Sequence, residues 1–172
     1  MKLTGKLCTL QPWQDTTPEA ITAQANNPNV RRYLRRSFPS PYTIEDAKSW
    51  LKMNEGLDPI PRFAIMVDGA FAGGIGLEFK TDVYACNAEL GYWLGEDFWG
   101  KGIMTDAIPL IVEYAFKSFP ITRIFAGVNE ANVGSMRALE KAGFELEAIA
   151  KKGLITDGLI SDQYIYSTIK PD

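Results

Sequence analysis

The spacing of apolar residues changes from a two-residue to a helical rhythm and back along this chain, and each change predicts an element. Leu7 to Gln11 alternates apolar and polar positions, as a first strand does. Thr17-Pro18-Glu19 places a capping hydroxyl ahead of a proline and predicts a short helix; a second is expected over Val30 to Arg36, ending before Pro39 and Pro41. Thr43 with Asp46 three residues later reads as a capping box opening a helix to about Glu55, with Gly56 suited to its stop. Arg62 to Val67 and Ala70 to Phe79 read as strands joined at Asp68-Gly69, a hairpin signal. Ala88 to Leu94 follows as a strand with Leu90, Tyr92 and Leu94 on one face and Glu89, Gly91 and Trp93 on the other.

After a glycine-rich turn, Ile103, Ala107, Leu110, Ile111 and Tyr114 recur at helical spacing and predict a sheet-facing helix through about Ser118. Pro109 removes one backbone bond from it and predicts a kink in the second turn. Ile121 to Val128 reads as a buried strand, Asn132 to Ala142 as a helix closed by Gly143, and Phe144 to Ala150 as another strand. Asp157-Gly158 turns the chain toward a last strand, Gln163 to Lys170. No repeat, low-complexity tract or long linker interrupts this order, so residues 1–172 are expected to form a single domain.

The strand-turn-helix junction at 89–107 suits an anion. A helix start leaves backbone N–H groups unpaired and carries partial positive charge, and glycines let a phosphate approach that backbone. Gly95 and Gly100-Lys101 fit most of a P-loop, but Gly102 replaces the magnesium-binding hydroxyl, and Glu96 and Asp97 would put two carboxylates inside the phosphate cradle. A dinucleotide fingerprint needs a third glycine where Thr105 stands, and belongs near the start of a parallel sheet.

Composition narrows the chemistry. The chain has no histidine, which rules out Ser-His-Asp and Cys-His machinery and histidine-ligated metal, so no metal site is expected. Proton transfer falls to carboxylate, tyrosine, lysine, hydroxyl or water. Two distant cysteines, Cys8 and Cys86, read as free thiols without an activating context. A net charge of -3 gives no reason to expect a nucleic-acid partner, and no apolar run approaches the roughly 20 residues of a membrane span. Met1 to Lys6 is not followed by the apolar core of a signal peptide, and the expected location is cytoplasmic.

Asp97 to Gly102 is similar to the Q/R-x-x-G-x-G/A acetyl-coenzyme A loop of the GNAT N-acetyltransferase superfamily, with Asp97 departing from the usual Gln or Arg. Asn132-Val133-Gly134-Ser135 through Lys141-Ala142-Gly143-Phe144 resembles the block that follows the fifth strand there. With Glu89-Leu90-Gly91-Tyr92-Trp93-Leu94 and Trp99-Gly100-Lys101-Gly102, the chain resembles the branch containing ribosomal-protein N-terminal acetyltransferases over nearly its whole length. The resemblance implies an α/β (α+β) fold: a mixed, mostly antiparallel central sheet of six to seven strands, with a V-shaped splay between the fourth and fifth, flanked by about four helices. It implies direct acetyl transfer from acetyl-CoA to a primary amine, either a protein N-terminus or a small molecule, by a monomer or homodimer. The rival expectation is an acyl-CoA-binding sensor that has lost catalysis.

On this resemblance Gly100, Lys101, Gly102, Ile103, Met104 and Thr105 hold the pyrophosphate. Trp93 and Leu94 pair their main chains with the pantetheine arm, with the Leu94 N–H as oxyanion donor. Asn132 and Ser135, one helical turn apart, reach the arm and the sulfur; their plainer reading is a helix N-cap and a first-turn polar residue. Glu89 is the candidate general base through water, with a structural salt bridge as its alternative. Many superfamily members carry a tyrosine as general acid where Leu139 stands; Ser135 is the substitute, with Tyr92 and Tyr164 behind it. Arg31, Arg32, Arg35 and Arg36 form either a solvated helix face or an attractor for an acidic acceptor or the cofactor's 3′-phosphate, and Phe38, Tyr42 and Trp50 either wall the acceptor site or dock the early helices.

Overall fold

In the computed structural model, which describes residues 1–172, one sheet of eight strands runs through the molecule. The strands are β1 (Leu3–Thr4), β2 (Thr9–Gln11), β3 (Arg62–Val67), β4 (Ala70–Phe79), β5 (Asn87–Leu94), β6 (Arg123–Asn129), β7 (Glu145–Thr156) and β8 (Leu159–Ile169), lying side by side as β1-β2-β3-β4-β5-β6-β8-β7. Only β5 and β6 are parallel, because the helix α4 (Ile103–Ser118) carries the chain back between them. The other helices are α1 (Pro18–Ala25), α2 (Pro28–Arg31), α3 (Ile44–Met53) and α5 (Val133–Lys141). None is long and apolar enough to cross a membrane.

The capping chemistry places the helix starts. The Thr17 hydroxyl accepts from the Ala20 N–H, and Thr43 and Asp46 exchange bonds of 2.8 and 3.2 Å in a reciprocal box at α3. At the hairpin Asp68 and Gly69 both take positive φ, as a tight two-residue turn requires. Alternation along β3 divides two cores: Phe63 and Ile65 join Leu10, Leu77, Leu90, Ile108, Ile111 and Ile124 beneath α4, while Ala64 faces Trp13, Ile21, Tyr42, Ala47 and Phe71 beneath α1 and α3.

Three expectations are corrected. The sheet has eight strands, because a two-residue edge strand, Leu3–Thr4, is too short to leave a pattern; the splay therefore lies between β5 and β6, the same two segments numbered one higher. The helix expected at Val30 to Arg36 begins earlier, where Asn27 caps it and Pro28 takes its first position, and it ends at Arg31. The last two strands are longer than read, because Lys151-Lys152-Gly153 looks like a loop but is an irregularity inside the hairpin, with Lys152 at φ 53°. Pro109 lies inside the continuous helix α4 and, as expected, leaves the Thr105 carbonyl without its usual i+4 donor.

Asp106 ties the first turn of α4 to the edge of the sheet. Its carboxylate accepts from the backbone N–H groups of Leu7 (2.8 Å), Lys6 and Cys8 (both 3.2 Å). Burial alone would raise its pKa, but these bonds outweigh burial and hold the carboxyl below its usual range. The adjacent Cys8 thiol is pushed up to about 12, first by burial and then by Asp106, so it is not a nucleophile at neutral pH.

Asp106→Asn is expected to lower unfolding stability by about 1–3 kcal/mol at pH 7, since hydrogen bonds to a charged acceptor are worth more than neutral ones. A depressed folded pKa gives stability that is complete above the unfolded-chain value near 3.9 and fades as pH falls through the folded value. Urea titrations should therefore show the variant and the parent converging as pH falls below about 4. An undiminished gap in acid would mean that the charge is not the source.

Candidate active site

The hydrogen-bonded register between β5 and β6 stops after three pairs, Asn87 with Arg123, Ala88 with Ile124 and Glu89 with Phe125. Beyond Glu89, β5 stays on β4 to Leu94 and β6 stays on β8 to Asn129, so the two strands diverge and their facing edges are unpaired. Alternation decides which groups reach this gap. The Asn87 carbonyl accepts from Lys80 and the Gly95 N–H donates to Ala72, so odd-numbered β5 residues turn their main chains to β4. Trp93 is one of them, paired with Gly74. This corrects the expected main-chain role of Trp93: the cleft edge belongs to Tyr92 and Leu94. The Leu94 carbonyl accepts from the Trp99 indole at 2.9 Å, which leaves its N–H as the group directed into the opening.

The loop after β5 closes as a one-turn helix over Glu96 to Phe98, whose Glu96 accepts from Asn27 and Asn29 at 2.7 and 2.9 Å. That contact turns the carboxylate away from the glycines. Gly100 and Gly102 both adopt left-handed φ, 71° and 76°, a conformation that other residues reach only with strain. Gly102 caps α4 with no side-chain bond, and the first backbone bond at this end runs from Asp106 N–H to Gly102 O. The amides of Ile103, Met104 and Thr105 are thus unpaired by the helix.

Across the gap, Asn132 is the N-cap of α5, its side chain accepting from the Ser135 N–H at 3.3 Å. The Ser135 hydroxyl lies 2.6 Å from the Tyr92 hydroxyl. Burial pushes the Tyr92 phenol up to about 12, with the Ser135 bond pulling the other way, so the phenol stays protonated at neutral pH. Leu139 is fully buried in the core and points away from the cleft.

Two cavities open from this point. The first, about 560 Å³, is lined by Leu94, Trp99 to Thr105, Gly134, Arg137, Ala138 and Lys141. Lys101, Arg137 and Lys141 bring three cations to it, and no carboxylate lines it. Arg137 and Lys141 were not read from the sequence as site residues; their i, i+4 spacing, two and six residues after Ser135, is the signal that locates them. The second cavity, about 650 Å³, lies on the α1–α3 side, walled by Phe38, Tyr42, Trp50 and Trp93 and floored by β4, β5 and β6. Behind this wall the indole N–H groups of Trp13 and Trp50 are buried without an acceptor. Phe38, Tyr42 and Trp50 both wall this cavity and dock the early helices. The cavities share Tyr33, Leu34, Tyr92, Trp93, Asn132 and Ser135.

Glu89 faces the second cavity, with both oxygens engaged: the Lys80 ammonium donates at 2.7 Å, and Arg35 donates to the other oxygen. Burial would raise its pKa, but Lys80 and Arg35 outweigh it and hold the carboxyl below its usual range. Arg35 also donates to Glu78 at 2.8 Å, strapping the segment after α2 across β4 and β5. Two other arginines of that cluster make local contacts: Arg31 donates to the Phe38 and Leu34 carbonyls, and Arg32 lies over Tyr33.

A family model described as an acetyltransferase (GNAT) domain matches residues 8–145. Among curated relatives, the chain is similar to the probable N-acetyltransferase YjcK of Bacillus subtilis, 47% identical over 85 residues covering 49% of this chain and 47% of that protein. It is 34% identical over 106 residues to the putative ribosomal N-acetyltransferase YdaF of the same organism, covering 62% and 57%. The matched stretches thus span about half the length of these two relatives. Among solved structures, the microcin C7 self-immunity acetyltransferase MccE in complex with acetyl-CoA and AMP aligns with a TM-score of 0.80 at 25% identity, covering 96% of this chain and 93% of that one.

Replacing Arg137 and Lys141 together by alanine removes two of the three cations of the smaller cavity. Calorimetry with inorganic pyrophosphate should show affinity weakened about tenfold at low salt, and a smaller difference at 0.5 M salt, where surface charges are screened. Equal affinity for the two proteins would take these cations out of anion binding.

Proposed function

The chain belongs to the GNAT acetyltransferase family, and on that premise we propose that it moves an acetyl group from acetyl-CoA directly to a primary amine, with a protein N-terminus as the favoured acceptor. The observation that carries this reading is the meeting of a cationic, carboxylate-free cavity and a larger aromatic one at Tyr92 and Ser135. The residues of the first cavity fit coenzyme A: Gly100 to Thr105 supply unpaired amides at a helix start, and Lys101, Arg137 and Lys141 supply compensating charge. The free edge of β5 at Tyr92 and Leu94 suits the amides of the pantetheine arm. The name of YdaF as a putative ribosomal N-acetyltransferase supports a protein N-terminus over a small amine.

In direct transfer an amine nitrogen bonds to the acetyl carbon and the carbon–sulfur bond breaks. The Leu94 N–H polarises the carbonyl and stabilises the developing oxyanion. The Ser135 hydroxyl, backed by Tyr92, hydrogen-bonds the departing sulfur. Since a phenol near 12 is a weaker acid than a thiol of about 8.5, this pair stabilises the thiolate without full proton transfer. Glu89, held by Lys80 and Arg35, is too weak a base to deprotonate an ammonium outright; it orders the water that takes the amine proton to solvent. Asn132 acts indirectly, as the cap that fixes the first turn of α5 and with it Ser135. The sensor alternative draws on the buried Leu139 and the doubly paired Glu89.

Thiol release should appear with peptides bearing free N-terminal amines, and Ser135→Ala should lower kcat by about ten- to a hundred-fold without weakening acetyl-CoA binding. Because Glu89 is held ionised, kcat/KM should rise with pH along the acceptor's own α-amine, about 7.7–8.0, and Glu89→Gln should lower the plateau without moving the inflection. An inflection that moves with Glu89→Gln would make Glu89 the titrating base; acetyl-CoA binding with no turnover on any amine would favour the sensor.

A further inference from the structure

One row of the sheet crosses the floor of the larger cavity: Arg62 on β3 pairs with Gly76 on β4, and Gly76 pairs with Gly91 on β5. Residues directly opposite one another project from the same face of a sheet, so this row shares a face with Glu78 and Glu89, two positions along. All five residues line the cavity.

The two glycines have different surroundings. A Cβ on Gly76 would lie 2.6 Å from the Cγ of Arg62, so the arginine stem occupies the space that a side chain at 76 would need and lies across β4 toward the cleft. A Cβ on Gly91 would meet nothing within 4 Å, and Gly91 does not adopt positive φ. Neither packing nor backbone conformation calls for glycine there, and a larger residue in a strand would ordinarily add stability. What the missing side chain provides is open floor between Glu89 and Trp93, one strand over from the Arg62 stem on Gly76.

The charge of Arg62 is uncompensated. Its guanidinium lies 5.8 Å from the centre of the Trp50 ring and 3.5 Å from the Asn54 side-chain oxygen, and it enters none of the molecule's eight ion pairs. The carboxylates of this cavity are committed elsewhere: Glu78 and Glu89 to Arg35 and Lys80, and Asp46 to the cap of α3. A half-buried guanidinium over an indole face and lacking a carboxylate offers its fork of donors to an oxyanion. Two strand spacings separate the Arg62 and Gly91 backbones, about 10 Å.

We infer that Arg62, laid over Gly76 beside the open floor at Gly91, is an anion seat for the acceptor, so that the preferred substrate carries a carboxylate or phosphate group a few bonds from the amine that is acetylated. The inference rests on the acetyl-transfer reading above and adds the charge of the acceptor. An extended peptide advances about 3.4 Å per residue, so an acidic group at the second or third residue spans the distance from the reacting amine to the Arg62 side of the floor.

The test uses N-terminal peptide amides identical except for aspartate, asparagine, lysine or phosphoserine at the second or third position, with the intact protein. The parent should prefer the aspartate or phosphoserine peptides over asparagine by about tenfold in kcat/KM, mainly through KM, because the contact is remote from the reacting atoms. Whichever of the two is favoured identifies the source of the anion. Arg62→Gln, which keeps most of the stem over Gly76, should abolish the preference while leaving acetyl-CoA affinity and the rate on the asparagine peptide within about twofold. Arg62→Lys should retain part of it and guards against a loss caused by misfolding. Gly91→Val should raise KM for every peptide about tenfold or more with acetyl-CoA affinity unchanged. No preference in the parent, or the same preference in Arg62→Gln, overturns the inference while leaving acetyl transfer standing. If the parent binds acetyl-CoA yet acetylates no peptide, the transfer reading fails, and binding of N-acetylated acidic and neutral peptides, followed by tryptophan fluorescence, decides the anion seat. Equal binding of the two, or none, overturns it.

Discussion

Backbone N–H and C=O groups inside a sheet are normally all paired, because an orphaned buried group costs about as much as a lost hydrogen bond. The parting of β5 and β6 after Glu89 breaks that rule in the middle of this sheet, and both cavities depend on it. Neither strand ends there. Each is held open by its other neighbour, β5 by seven residue pairs with β4 and β6 by seven with β8, so the cleft is a gap between two complete ladders. The Tyr92–Ser135 bond, three residues beyond the last β5–β6 pair, links β5 to α5. A gap of this kind is solvated or filled by a ligand that brings its own donors and acceptors.

The two sides of the opening differ in charge as well as shape. The smaller cavity gathers three cations and unpaired amides, and two carboxylates close to it in sequence are engaged elsewhere, Glu96 by two asparagines and Asp106 by the backbone of residues 6 to 8. The larger cavity holds its carboxylates in a network with Arg35 and Lys80 that keeps Glu89 ionised without leaving it free. A ligand rich in phosphate is favoured on one side, while on the other discrimination falls to aromatic walls and to Arg62.

The order of elements was legible because the local signals agreed with the tertiary structure: Thr17 and Thr43 cap, Asp68-Gly69 turns, and the apolar stripe of α4 is buried where its spacing put it. The Gly100-to-Thr105 loop and the α5 start were legible for the same reason, since glycine conformation and helix capping are local. Main-chain direction was not. Whether Trp93 or Tyr92 faces the gap depends on which neighbour β5 bonds, and a strand's sequence carries the parity of its side chains but not the partner on each edge. The partners of Glu89 were equally hidden, because Arg35 reaches it from 54 residues away and Lys80 from just past the end of the neighbouring strand. Leu3–Thr4 and the inner half of the last hairpin were lost to shortness and to a lysine-glycine run that reads as a loop.

In the direct transfer proposed above, the cleft, with one cavity on each side of Tyr92 and Ser135 and no reactive thiol at Cys8, holds both substrates together when the acetyl group moves. Initial rates measured over a matrix of acetyl-CoA and acceptor-peptide concentrations address this directly. Intersecting double-reciprocal lines are expected from a ternary complex; parallel lines, the signature of an acetyl group parked on the enzyme between two half-reactions, would contradict it.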